Sequence, residues 1–155
     1  MEATQRIAWL FERIGRVPLS LHQFLFRLAI AGVFLRPGIT KIASWESTVA
    51  LFREEYRVPV LSPEIAATLA ATFELGCSTL LVIGLATRIT TLPLLGMIMT
   101  IQLFVYPQAW PEHLVWSSIL LFLLTRGGGK ISVDHVLRLV AAKTHPAGAM
   151  SNGMA

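Results

Sequence analysis

The chain has 155 residues, 54% of them hydrophobic and 14% charged, with a mean hydropathy of +0.64. A soluble domain carries about 25% charged residues to wet its surface, so a single water-soluble core is excluded. The net charge of +4 fits basic loops on one side of a membrane better than nucleic acid, which is not an expected partner. One cysteine, Cys77, leaves no internal disulfide or CxxC pair.

The first twenty residues form a basic amphipathic segment. Ile7, Leu10, Phe11 and Ile14 recur at helical spacing, with Arg6, Arg13 and Arg16 around the rest and Trp9 at an interfacial position. That pattern predicts a helix lying on an anionic membrane surface and ending near Pro18.

Four apolar blocks follow, at about 22–43, 65–85, 89–106 and 109–125. Each reaches or approaches the ~20 residues that cross a hydrocarbon core, and the fourth is the shortest. The first block carries three basic residues and no small-x-small cleavage site after it, so it reads as a retained helix rather than a signal peptide. Gly127-Gly128-Gly129 then acts as a stop, and Ser132 caps a short cytoplasmic amphipathic helix within 127–145. Its apolar face holds Val133, Val136, Leu137 and Val140. Residues 146–155 are expected to be a disordered tail.

The fold class predicted is all-α: an integral membrane four-helix bundle with short amphipathic helices at its N- and C-terminal sides. The lipid bilayer is its first partner. Eight basic residues outside the spans fall on the side of both termini, and only Arg53 and Arg57 on the other. That asymmetry predicts both termini in the cytoplasm.

Charges at membrane depth cost about 2.5–3.5 kcal/mol each on insertion scales and are normally paired or functional. Glu74 lies nine residues before Ile83, about 14 Å from that end of its helix. Ala67, Ala70, Ala71, Cys77 and Ser78 share its side, whereas Leu69, Phe73, Leu80 and Ile83 lie opposite. Small residues let helices approach in lipid, so Glu74 should face the bundle. Arg27 shares a face with Ala31, Gly38 and Lys41 and is the first-choice partner for Glu74. Arg36 and Lys41 complete the candidate intramembrane polar site, for a ligand or a proton, although both can snorkel outward. A Glu–Arg pair can also do no more than fix helix register. A protonated Glu74 hydrogen-bonded to a neighbouring helix is a further way to satisfy the group.

His113 and Trp116 are secondary candidates on the fourth span. Trp116 is expected to be an interfacial anchor, and His113 could carry protons or contact a quinone head group. No second histidine stands at matching depth, so a bis-histidine haem is not expected, and no metal-ligand cluster or autonomous catalytic motif is evident.

The combined pattern resembles the DoxX family of four-helix bacterial inner-membrane proteins. The residues that carry the resemblance are Arg27, Phe34…Gly38-x-x-Lys41, Phe73-Glu74-Leu75-Gly76, Leu81-x-x-Gly84-Leu85-Ala86-Thr87-Arg88, Trp116, and Gly127 through Asp134. The resemblance implies the plasma membrane and association with redox systems. It points to an accessory or quinone-interacting subunit with a membrane or soluble oxidoreductase partner. It supplies no covalent cofactor, and a quinone is the one ligand it suggests. A small proton-coupled carrier, a homo-oligomer, and a scaffold recruiting soluble oxidoreductases are the competing expectations.

Overall fold

In the computed structural model, residues 2–144 are described. The tail at 146–155, and His145 before it, lie outside the described residues. Among the described residues there are seven α-helices: α1 (Glu2–Gly15), α2 (Leu19–Ala43), α3 (Trp45–Leu51), α4 (Pro63–Ile83), α5 (Thr87–Thr100), α6 (Trp110–Arg126) and α7 (Val133–Thr144). Two π-helical turns, Phe52–Tyr56 and Ile101–Val105, extend α3 and α5. No strand occurs among the described residues.

Among the described residues, three segments are long and apolar enough to cross a membrane: Leu19–Ala43 with 25 residues, Pro63–Ile83 with 21 and Thr87–Val105 with 19. Helix α6 has 17 residues, about 26 Å of helix, and completes the bundle. Helix α2 packs on α4 and α6, and α5 packs on α4 and α6, so the four close into a ring. The protein is an all-α membrane bundle.

Its exterior is what lipid requires. Leu25, Ile39, Leu92, Met99, Leu114 and Leu121 are exposed, while Ile30, Leu81, Leu94, Leu120 and Leu123 are fully buried. Pro37 lies inside α2, and the helix continues through it. Arg36 therefore keeps its helical direction and is exposed, whereas Gly38 and Lys41 turn toward α4.

At the end of the bundle that carries the terminal segments, the chain ties α2, α4, α5 and α7 together. Gly84 closes α4 in the left-handed region (φ 72), where glycine pays no Cβ penalty. Ala86, also left-handed, precedes α5 and brings no capping side chain. Asp134 of α7 supplies the cap instead: its carboxylate accepts from the backbone N–H of Ala86 at 2.6 Å and of Thr87 at 2.9 Å. The first N–H groups of a helix need such acceptors, and a carboxylate there also suits the helix dipole. Ser132 caps α7, accepting from the His135 N–H at 3.2 Å. Gln23 of α2 donates to the carbonyls of Arg126 and Gly127 at 3.1 and 3.0 Å.

Candidate functional site

Glu74 projects from the middle of α4 and is 5% exposed. The side chain that meets it is Lys41, whose Nζ donates to Oε1 at 2.7 Å and to Oε2 at 2.8 Å. Among the described residues this is the buried ion pair of the bundle; Arg53–Glu64, at 2.7 Å, joins two side chains more than half exposed.

The pairing of Glu74 with Arg27 is therefore corrected. The helix register explains why. A Cβ on Gly38 would stand 2.9 Å from the Glu74 Cβ, so Gly38 is level with Glu74 across the α2–α4 seam. Arg27 lies eleven residues from Gly38, about 16 Å along α2 and beyond the reach of any side chain. Its guanidinium instead donates to the carbonyls of Leu81 (3.1 Å) and Val82 (3.4 Å) at the end of α4, and to that of Ile131. Arg27 is a structural clamp on the C-terminal carbonyls of α4, sharing that of Leu81 with the Gly84 N–H. Arg36 faces outward and does not join the site.

The Lys41–Glu74 pair opens onto a cavity of about 580 Å³ bounded by all four spans. Its wall is mostly apolar and aromatic, including Phe34, Phe52, Phe73 and Trp116. The polar side chains on it are few, chiefly Lys41, Glu74, Tyr56, Thr100, Tyr106, Glu112 and His113. Both intrahelical prolines, Pro37 and Pro93, border it. Proline removes a ladder hydrogen bond and bends a helix, which leaves room between neighbours.

His113 is 5% exposed, and its Nδ1 lies 2.6 Å from Gln102 Oε1. Gln102 belongs to the π turn that ends α5, and such turns shift side-chain register where a site needs it. With Nδ1 engaged, Nε2 is the nitrogen left for a ligand. Trp116 is not an interfacial anchor: it is half-buried, with its ring 6.1 Å from Phe34 and 5.6 Å from His113. Trp45 and Trp110, at the starts of α3 and α6, are more open, 40% and 59% exposed.

The π turn Phe52–Tyr56 brings in residues that sequence reasoning missed. Tyr56 and Tyr106 stack edge to face at 5.8 Å, and the Tyr106 hydroxyl donates to Glu55 at 2.5 Å. That bond to the carboxylate holds the Tyr106 hydroxyl well above its ordinary value, and burial pushes Tyr56 up. The sequence signal was slight: Tyr106 closes the third proposed span, where interfacial anchoring explains it equally well, and Tyr56 sits within the first loop. Among the described residues, no group of three or more His, Cys, Asp or Glu side chains is arranged to hold a metal ion.

The DoxX family model matches residues 22–107, more than half of the chain. The matched stretch contains Arg27, Gly38, Lys41 and Glu74, and ends before His113, Trp116 and Asp134. Neither the curated proteins nor the solved structures gave a match.

Proposed function

We propose that this chain, which belongs to the DoxX family, binds the head group of a lipophilic quinone in the cavity beside Lys41 and Glu74, as an accessory subunit of a membrane redox system. One observation carries the reading: a buried ion pair set in the wall of an otherwise apolar cavity of about 580 Å³. Small-molecule sites have this character, concave and apolar with a few convergent polar groups, at about 300–1,000 Å³. An ammonium has three N–H donors, and Glu74 takes two of those of Lys41. The third is available to a ring carbonyl oxygen, the Glu74 carboxylate can accept from a hydroquinone hydroxyl, and His113, whose Nδ1–H donates to Gln102 Oε1, offers Nε2 as acceptor to the second hydroquinone hydroxyl. Trp116 and Phe34 supply flat apolar surface for the ring. A bound quinone would bring the redox chemistry; these residues orient its head group and keep water from it.

The reading places the bundle in a bacterial inner membrane with both termini cytoplasmic, supported by the eight-to-two distribution of basic residues. An oxidoreductase partner, in the membrane or docked from solution, would exchange electrons with the bound quinone.

The test is to purify the full chain in mild detergent, extract its lipids and identify quinones by mass spectrometry. The wild type is expected to retain quinone, and Glu74→Gln and Lys41→Gln to lose most of it while staying folded. Retention of the same quinone by both variants, or none in the wild type, overturns the proposal. Proton or solute flux through proteoliposomes, abolished by Glu74→Gln with no quinone present, would favour the small carrier instead.

A further inference from the structure

We infer that the ligand enters and leaves the cavity sideways, from the bilayer, through a slot between α4 and α5, and that its apolar tail lies in that slot with Gly96 on the sill. The inference rests on the reading of the cavity as a ligand site and adds where the ligand comes from: it is dissolved in the membrane and carries a long hydrocarbon tail.

Two stripes of residues define the slot. On α4, Leu69 and Phe73 are one turn apart; on α5, Pro93, Gly96, Met97 and Thr100 recur at i, i+3, i+4 and i+7. All six line the cavity. A residue walling a closed cavity would be buried, yet Leu69 is 39% exposed, Gly96 is exposed, and the other four are half-buried. They face the cavity and the lipid together. Leu69 and Phe73, expected from the sequence to face acyl chains alone, are the jambs of the opening.

The seam is shut elsewhere. Toward the terminal end, Leu81 of α4 and Leu94 of α5 are both fully buried, and the tight turn through Gly84 and Ala86 joins the two helices. At the opposite end, the Tyr106–Glu55 hydrogen bond and the Tyr56–Tyr106 stack bridge the two π turns across the cavity. What remains between them is a lipid-facing gap with no charged side chain on either jamb.

Gly96 is what keeps the gap open. A Cβ built there meets nothing within 4 Å, so a larger side chain fits without disturbing the helix and projects into open space. Glycine is less favourable than alanine in a helix interior, and no close contact at Gly96 requires it.

The experiment compares two probes on the detergent-solubilised full chain, a ubiquinone with a long isoprenoid tail and its short-tailed analogue, followed by quenching of tryptophan fluorescence. Gly96→Phe is expected to weaken the long-tailed quinone by about 10-fold or more and to leave the short-tailed one within about 2-fold. Leu69→Phe, on the facing jamb, should act the same way and serves if the first variant folds poorly. Met99→Phe, on the outer face of α5 at 59% exposure, should change neither. Equal weakening of both probes, or no effect on the long-tailed one, overturns the slot. If the wild type binds neither probe, the quinone reading itself fails and the slot falls with it; loss of both probes in Glu74→Gln alone leaves that reading standing.

Discussion

Replacing Gly38 by alanine puts a methyl group into the tightest point of the bundle. The new carbon would stand 2.9 Å from the Glu74 Cβ and 2.9 and 3.0 Å from two carbons of Leu75, where ordinary contacts begin at 3.4 Å. Leu75 Cγ and Cδ2 can turn about χ1 and χ2, but the Glu74 Cβ is fixed to its backbone, so the helices must separate by about 0.5 Å. A gap of that size forfeits roughly a quarter of each dispersion contact along the seam. Ala31, Phe34, Ala67 and Ala71, all buried, belong to the two helices that separate. The net cost is about 1–3 kcal/mol, the usual range for overpacking, after the propensity gain of alanine is counted. The same separation draws Lys41 from Glu74, so quinone binding should weaken alongside stability. Gly32, on the same helix, is the internal control, because a Cβ there meets nothing within 4 Å. Unfolding of both variants in mixed detergent micelles, followed by circular dichroism, measures the difference. If Gly38→Ala comes within about 0.5 kcal/mol of Gly32→Ala, the argument that Gly38 sets the α2–α4 distance is wrong.

Other perturbations test other joints of the molecule. Lys41→Met should cost about 3–5 kcal/mol by leaving a buried carboxylate unpaired, and adding Glu74→Gln should recover part of it; equal stability of single and double variants would show the pair to be uncoupled. Asp134→Ala removes the acceptor for two N–H groups of α5 and should cost about 1–2 kcal/mol, with faster hydrogen exchange at Thr87 as the local reporter. Gly84→Ala should be far worse, since its φ is 72 and a Cβ would overlap the Arg27 guanidinium; a folded variant with unchanged melting temperature would refute the clamp. The chain has two tyrosines, so absorbance titration reads Tyr56 and Tyr106 alone. Both should ionise above the ordinary value of about 10, and Glu55→Gln should bring Tyr106 back toward it. Because the fold favours the neutral hydroxyls, their stabilisation is complete below pH ~10 and is lost as pH rises further.

Much of the architecture is written in the hydrophobic pattern because lipid enforces it. Apolar blocks near 20 residues, small residues facing inward on α4 and the Gly-rich stop after α6 each follow from a single physical demand. Relative register does not. The face that Arg27 shares with Ala31, Gly38 and Lys41 made it the expected partner of Glu74. The contact that sets the α2–α4 offset is Gly38 against the Glu74 Cβ, and it places Arg27 level with Gly84 instead. No one-dimensional pattern encodes such an offset. The loop between the first two spans was equally opaque. Its π turn, and the one that ends α5, bring Tyr56 and Tyr106 over the cavity through contacts between segments some fifty residues apart. Trp116 was misplaced for a related reason: a tryptophan near a span end fits an interfacial belt or a cavity wall equally well until its neighbours are known.

The division of labour between buried Arg27 and half-buried Lys41 follows from their shapes. Arginine is a planar fork with five donors and stays charged when buried, so it suits several acceptors in fixed directions. Arg27 meets such a set, the last carbonyls of α4 and that of Ile131, where the negative end of the helix dipole also favours a cation. Lysine is a point charge on a flexible stem, able to follow one carboxylate and still turn a donor elsewhere. Exchanging the two would therefore fail at both places. Lysine at 27 could not reach α4 and residue 131 together, and arginine at 41 would fill the space that the ammonium leaves beside Glu74. On this argument Lys41→Arg, which preserves the charge pair, should keep the protein folded yet reduce ligand occupancy, an outcome that a purely structural ion pair would not produce.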